Sequence, residues 1–324
     1  MLTLLATLAA AATLTAEPIE LPGGPPVGMD YLAYDASTGM LWVPGSNTAR
    51  VNVIDTKSGK LESIEGLATK KGERGTTGAT AGTAGHGHVF IGNRADQSLC
   101  SYDAKSRAKK GCATLGANPD GVFYVPSSHE VWVTAPHEKS IVVVSVKNAD
   151  KPHVAHRITL EGEPEGYVVD EARHLVYTNL EDKDVTLVID AKTRKTLSTW
   201  PTTCGEKGPR GLALDTERRH LFVACGAGGV KVLDAGKEGA VLGELKTGAG
   251  VDNIDYFQKR HLLYAASGKE GTLTIGEAKE TGEVAEFATA KTVAGGRTVI
   301  IDGAGTAYVP DSKGGKLWKV KLAE

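Results

Sequence analysis

Apolar residues in this chain come in short runs separated by turn-forming polar clusters, and the clearest set lies between Glu163 and Trp200. The runs are Glu165-Gly-Tyr-Val-Val-Asp170, Leu175-Val-Tyr-Thr-Asn179, Val185-Thr-Leu-Val-Ile-Asp190 and Lys195-Thr-Leu-Ser-Thr-Trp200. Most are rich in β-branched and aromatic side chains, and stretches such as Glu171-Ala-Arg-His174 and Ala191-Lys-Thr-Arg194 divide them. Such runs read as strands, and four in succession with short connections read as an antiparallel meander. A lone sheet of this size leaves two faces uncovered and two edges unpaired, so it needs neighbours.

The neighbours are copies of the same unit. Asp30, Asp120, Glu165, Arg210, Asp252 and Arg297 each open a similar polar–small–apolar stretch. Successive starts lie 42 or 45 residues apart, except for one gap of 90 between Asp30 and Asp120, which predicts a further copy near Gly78. The sequence there, Gly78-Ala-Thr-Ala-Gly-Thr83, is a weak match. Seven copies of about 45 residues have the size of four-stranded propeller blades. The expected fold is all-β: a seven-bladed β-propeller of four-stranded antiparallel blades in one domain, residues 17–324. The last copy stops after its third strand, Lys316 to Leu322, while Glu17-Pro-Ile-Glu-Leu-Pro22 is an orphan at the front. Pairing the two completes the last blade and removes an open edge.

Val176-Tyr-Thr-Asn179, together with Ile54-Asp-Thr-Lys-Ser-Gly-Lys60, resembles the repeat of the YVTN-repeat (YncE-like) family of seven-bladed propellers. The resemblance spans nearly all of residues 17–324 and is best in copies one, four and five. It implies the fold and little about activity, because the motif consists of apolar strands, a turn glycine and a polar pin. Propellers of this kind serve as lactone hydrolases, lyases, subunits of amine dehydrogenases and scaffolds.

Charge changes the picture only slightly: the formal net charge of -2 implies no polyanion partner, and no nucleic acid binding is expected. Residues 1–16 carry no charged side chain and are Leu/Ala-rich, too short to span a membrane comfortably. They read as a secretory signal peptide cut after Ala16, which places the mature chain in the periplasm or outside the cell, with no transmembrane segment and as a monomer. Four cysteines allow three pairings. The local one, Cys100 with Cys112 and Cys204 with Cys225, joins near neighbours in their blades and fits an oxidising compartment.

Candidate chemistry concentrates where the innermost strands begin, at one mouth of the central channel. Asp30, Gly78, Asp120, Glu165, Arg210, Asp252 and Arg297 form a ring there, flanked by Asn93, Arg94, His137, Glu138, Asn179, Glu181 and Lys269 from the loops. The expected function is non-catalytic binding of a small anionic ligand or a protein partner, with Arg210 and Arg297 as anion anchors. No catalytic residue and no cofactor is assigned, since no nucleophile elbow, phosphate loop or haem motif is present. The alternative is a lactonase-like or lyase enzyme using a divalent cation near Asp120 and Glu165, adjacent acids with no base between them. His86-Gly-His88 offers a weaker metal site; His174, His220 and His261, each at the first turn of its copy, favour a structural reading.

Overall fold

The computed structural model describes residues 14–322 apart from Arg74. Seven four-stranded antiparallel sheets follow one another around a ring, with a separate two-stranded ribbon. In blade four the strands are Pro164–Asp170, Leu175–Leu180, Val185–Asp190 and Thr196–Pro201, paired in chain order from the channel outward. The second and third strands of the blades are buried on both faces, as in Glu130–Ala135 and Ser140–Ser145, which accounts for their near-continuous apolar character. Outer strands such as His153–Thr159 are largely exposed.

No single core exists. Apolar side chains gather in seven clusters, each in the seam between neighbouring blades. Trp132 and Ile141 of blade three meet Val176 and Ile189 of blade four in one seam, and Tyr308 of blade seven meets Leu41 of blade one in another. Every blade is thus held by both neighbours.

The Val-Tyr-Thr-Asn run works as the expected pin. Thr178 Oγ1 donates to the Gly166 carbonyl (2.8 Å), Thr186 Oγ1 donates to Asn179 Oδ1 (2.6 Å), and Asn179 Nδ2 donates to the carbonyl of Arg210 in the next blade. Blade seven is completed by the N-terminal strand, Leu14–Glu20, antiparallel to Lys316–Leu322. This strand begins three residues before the expected Glu17 and ends two before Pro22, so Leu14, Thr15 and Ala16 pair with Leu322, Lys321 and Val320. Residues 1–13 of the expected signal peptide lie outside the described residues. The predicted disulfides Cys100–Cys112 and Cys204–Cys225 are both formed.

Two local expectations are corrected. Ala68 to Gly78 is basic and rich in Gly and Thr, a composition that predicts a mobile surface loop, yet it contains the ribbon Lys70–Gly72 paired with Gly75–Thr77. His88 and His220 open their second strands, whereas His174 and His261 fall one position earlier, in left-handed turn conformations (φ 56° and 53°). His86 is left-handed too (φ 52°) and rests edge-on against His129 at 4.9 Å, so the extended geometry that would align it with His88 is lost.

Candidate functional site: the channel mouth

Four of the inner strands, in blades two, four, five and six, carry a β-bulge near the channel mouth. Ladder register shifts between Ala79 and Ala81, Glu165 and Tyr167, Pro209 and Leu212, and Val251 and Ile254. A bulge re-aims the side chain beside it, and in these four blades it lies at the start of the inner strand, beside the ring position. Gly166 shows what this requires: its φ is +67°, and a Cβ there would lie 2.3 Å from the Arg210 carbonyl oxygen. Only glycine accommodates both the torsion and the approach of the next blade.

The register corrects one member of the ring. Gly82 pairs with Ile91 as Tyr167 pairs with Thr178, so the position equivalent to Glu165 in blade two is Thr80, two residues after Gly78. Gly78 instead packs against the Ser46 carbonyl of blade one. Thr80 is 4 % exposed and its hydroxyl has no hydrogen-bond partner among the described residues.

Arg94, from the loop after His88–Asn93, supplies the cation that blade two lacks at the ring. Its Nη2 bridges Asp30 (3.2 Å) and Asp120, and its Nε donates to the Pro119 carbonyl (2.9 Å). Arg297 Nε binds Asp252 (2.9 Å), and its Nη2 lies 3.8 Å from Asp30. Asp30 therefore sits between two guanidinium groups. Arg210 turns to Glu181 of blade four rather than to Asp252.

Across the channel, Tyr31 of blade one donates its hydroxyl to Glu165 Oε1 of blade four (2.6 Å). The Tyr31 ring stacks on Tyr167 with centroids 5.7 Å apart, and Tyr167 donates its own hydroxyl to the Val122 carbonyl (2.7 Å). The two tyrosines form a floor that divides the channel. A signal for this plug existed in the sequence. Residues following the ring position are Ala81, Gly121, Gly166, Gly211, Asn253 and Thr298 in six blades, and Tyr31 alone is large.

The electrostatics follow from burial. Desolvation raises Asp30 to about 7, with Asp120 and Asp252 pushing the same way and Arg94 and Arg297 opposing. Desolvation also pushes Glu165 well above the ordinary carboxylate range, reinforced by Asp120 and Asp252 and opposed by the Tyr31 hydrogen bond. Asp252 is raised by burial, against the pull of Arg297 and Arg210.

Above the floor, a cavity of about 470 Å³ is lined by Arg94, Asp120, His137, Glu165, Glu181 and, from the ribbon, Lys70, among others. His137 and Lys269 are exposed, and Glu138 accepts a bond from the Asn118 amide (3.2 Å). Asn93 and Asn179, expected among the ligand-contacting residues, are instead buried pins. Asn93 Nδ2 donates to the Ala68 carbonyl (3.0 Å) and its Oδ1 accepts from the Ala95 amide (2.8 Å), while Asn179 is fully enclosed. Their amide groups are spent on backbone groups and, for Asn179 Oδ1, on the Thr186 hydroxyl, because polar side chains this buried need internal partners.

The donor set does not suit a bare divalent cation near Asp120 and Glu165. Asp120 already faces the Arg94 guanidinium and Glu165 the Tyr31 hydroxyl, and a fixed positive charge beside a ligand carboxylate opposes a second cation. Among the described residues, ligand atoms of Asp215, Glu217 and His261 do converge, at the opposite face. Asp215 is committed there to the amides of Glu217 and Arg218 and to the side chains of Tyr256 and Gln258.

No family model matches the sequence, and no curated protein matches it. Among solved structures, a chain of the mitotic checkpoint complex superposes with a TM-score of 0.80 at 13% identity, covering 100% of this chain and 97% of that one. A streptogramin B lyase gives 0.76 at 12% identity over 96% of this chain and 98% of that one. Kuenenia stuttgartiensis hydrazine synthase gives 0.74 at 12% identity, over 94% of this chain and 97% of that chain. Likeness at such low identity carries the architecture and nothing of the chemistry: the chain is a seven-bladed β-propeller.

Proposed function

We propose that this protein is an exported, non-catalytic propeller that holds a small anionic ligand, or an acidic group on a protein partner, at its channel mouth. The observation that carries the reading is Arg297. More than half of its side chain is exposed (57%), its Nε and Nη2 sides face Asp252 and Asp30, and its Nη1 has no partner among the described residues. A guanidinium steered in this way offers a free edge to a carboxylate or phosphate. The tyrosine floor makes the mouth a blind pocket rather than a through-channel, which suits retention of a ligand. The two disulfides support an oxidising compartment, and the buried Thr178 and Asn179 pin supports kinship with the YVTN-repeat propellers.

The test is a thermal-shift screen of small carboxylates and phosphate esters on the wild type, Arg297→Ala and Arg210→Ala. The expected result is stabilisation of the wild type by at least one anion, abolished by Arg297→Ala and weakened by Arg210→Ala, whose guanidinium is shared with Glu181. A wild type indifferent to every anion, with both variants melting earlier, would leave the ring as a structural ion-pair belt.

A further inference from the structure

Tyr167 also borders a second cavity, distinct from the one at the mouth. A chamber of about 230 Å³ opens toward the face opposite the mouth, walled chiefly by Leu32, Tyr34, Tyr167, Leu212, Ile254 and Ile300. At bulk water's share of about 30 Å³ per molecule, this is room for roughly eight waters or one small organic molecule. Its lining contains one charged side chain, Asp255, with Asn253 and Thr83 as polar companions. Asp255 Oδ2 accepts from the Ile301 amide (2.9 Å) and Oδ1 from the Tyr256 amide (2.8 Å). No lysine, arginine or histidine is among the lining residues. Burial raises the Asp255 carboxyl to about 6, with both amide bonds pulling it down.

A carboxylate held at the wall of this chamber loses hydration that two amide bonds replace only in part. Its remaining lone pairs and its charge are best met by a cation small enough to enter. We propose that this lower chamber is a second binding site, separate from the mouth, for a small organic cation with an ammonium head on a short apolar body. The ammonium lies against Asp255, the one charged side chain of the lining. Leu32, Leu212 and Ile254 cover the apolar body. The mouth cannot serve the same ligand in the same way, because its buried carboxylates Asp30 and Asp120 share the Arg94 guanidinium.

The test is titration calorimetry of the full chain with n-butylammonium, and with n-butanol and butyrate as neutral and anionic controls. Saturable binding of n-butylammonium alone is expected, at least tenfold weaker in Asp255→Asn and unchanged in Arg297→Ala. Leu32→Trp fills the chamber without touching the carboxylate, and it should weaken binding as much. If Asp255→Asn does not fold, Leu32→Trp decides alone. The proposal is overturned if n-butylammonium does not bind, if n-butanol binds as well, if neither chamber variant loses affinity, or if the loss follows Arg297→Ala instead. None of these outcomes depends on whether the mouth takes an anion.

Discussion

At the scale of single residues, Asp30 governs the mouth. Both cations nearest the axis, Arg94 and Arg297, lean on it, yet burial and two acidic neighbours hold its carboxyl near 7 instead of 3.8. The folded state therefore binds this proton more tightly than the unfolded chain does. The resulting stability is fully present below pH 3.8 and is lost as pH rises through about 7. Glu165, also raised, acts with the same sign. The melting temperature should fall between pH 5 and pH 8, and Asp30→Asn should flatten part of that fall; parallel profiles for the two proteins would contradict the assignment. The same protonation releases Arg297 from one of its two carboxylates, so anion affinity at the mouth should rise as pH drops through 7.

At the scale of elements, irregularities in regular strands build the site. Bulges sit beside the ring position in four blades, the ribbon from Lys70 to Thr77 adds a wall to the mouth, and buried asparagines tie loops to backbones. The disulfides act on this level as well. Cys100–Cys112 ties the third strand of blade two to its outer strand, closing a sequence separation of 12. In the chain-entropy account a crosslink of this span contributes about 3 kcal/mol. Reductant should lower the melting temperature by several degrees. Unchanged melting in protein whose four thiols are shown to be free would refute that contribution.

For the whole molecule, closure is the main device. Each apolar seam needs blades on both sides, and the seventh blade exists as four strands only because Leu14–Glu20 pairs with Lys316–Leu322. Deleting residues 14–20 should leave the Lys316–Leu322 edge unpaired and uncover part of the apolar cluster behind it, which includes Trp318 and Val320. The expected outcome is a lower melting temperature with oligomers in size-exclusion chromatography. A truncated chain that remains monomeric and melts unchanged would show that the ring does not depend on this strand. Cleavage after Ala16 would still leave Glu17–Glu20 to pair with Lys316–Lys319.

Periodicity alone determined the architecture. The repeated polar–small–apolar starts, the Val-Tyr-Thr-Asn run and the incomplete last copy specify seven blades, their order and their closure, because strands signal themselves by local side-chain pattern and blades by spacing. Cysteine placement determined both disulfides for the same reason: in each pair, the partners lie within one blade or at its entrance. The site was legible in part. Asp30, Asp120, Glu165, Arg210, Asp252 and Arg297 could be assigned to one ring, since equivalent positions of a repeat fall at equivalent places in space. Tertiary structure decided which of them touch. Arg94 reaches the Asp30–Asp120 gap, and Arg210 turns away to Glu181. Tyr31 finds Glu165, 134 residues along the chain and on the opposite side of the channel. The strand pairing of weakly patterned blade two puts its ring position at Thr80 rather than Gly78. Contacts across a ring depend on side-chain length, torsion and burial acting together over long separations, and a pattern of local preferences holds no record of them.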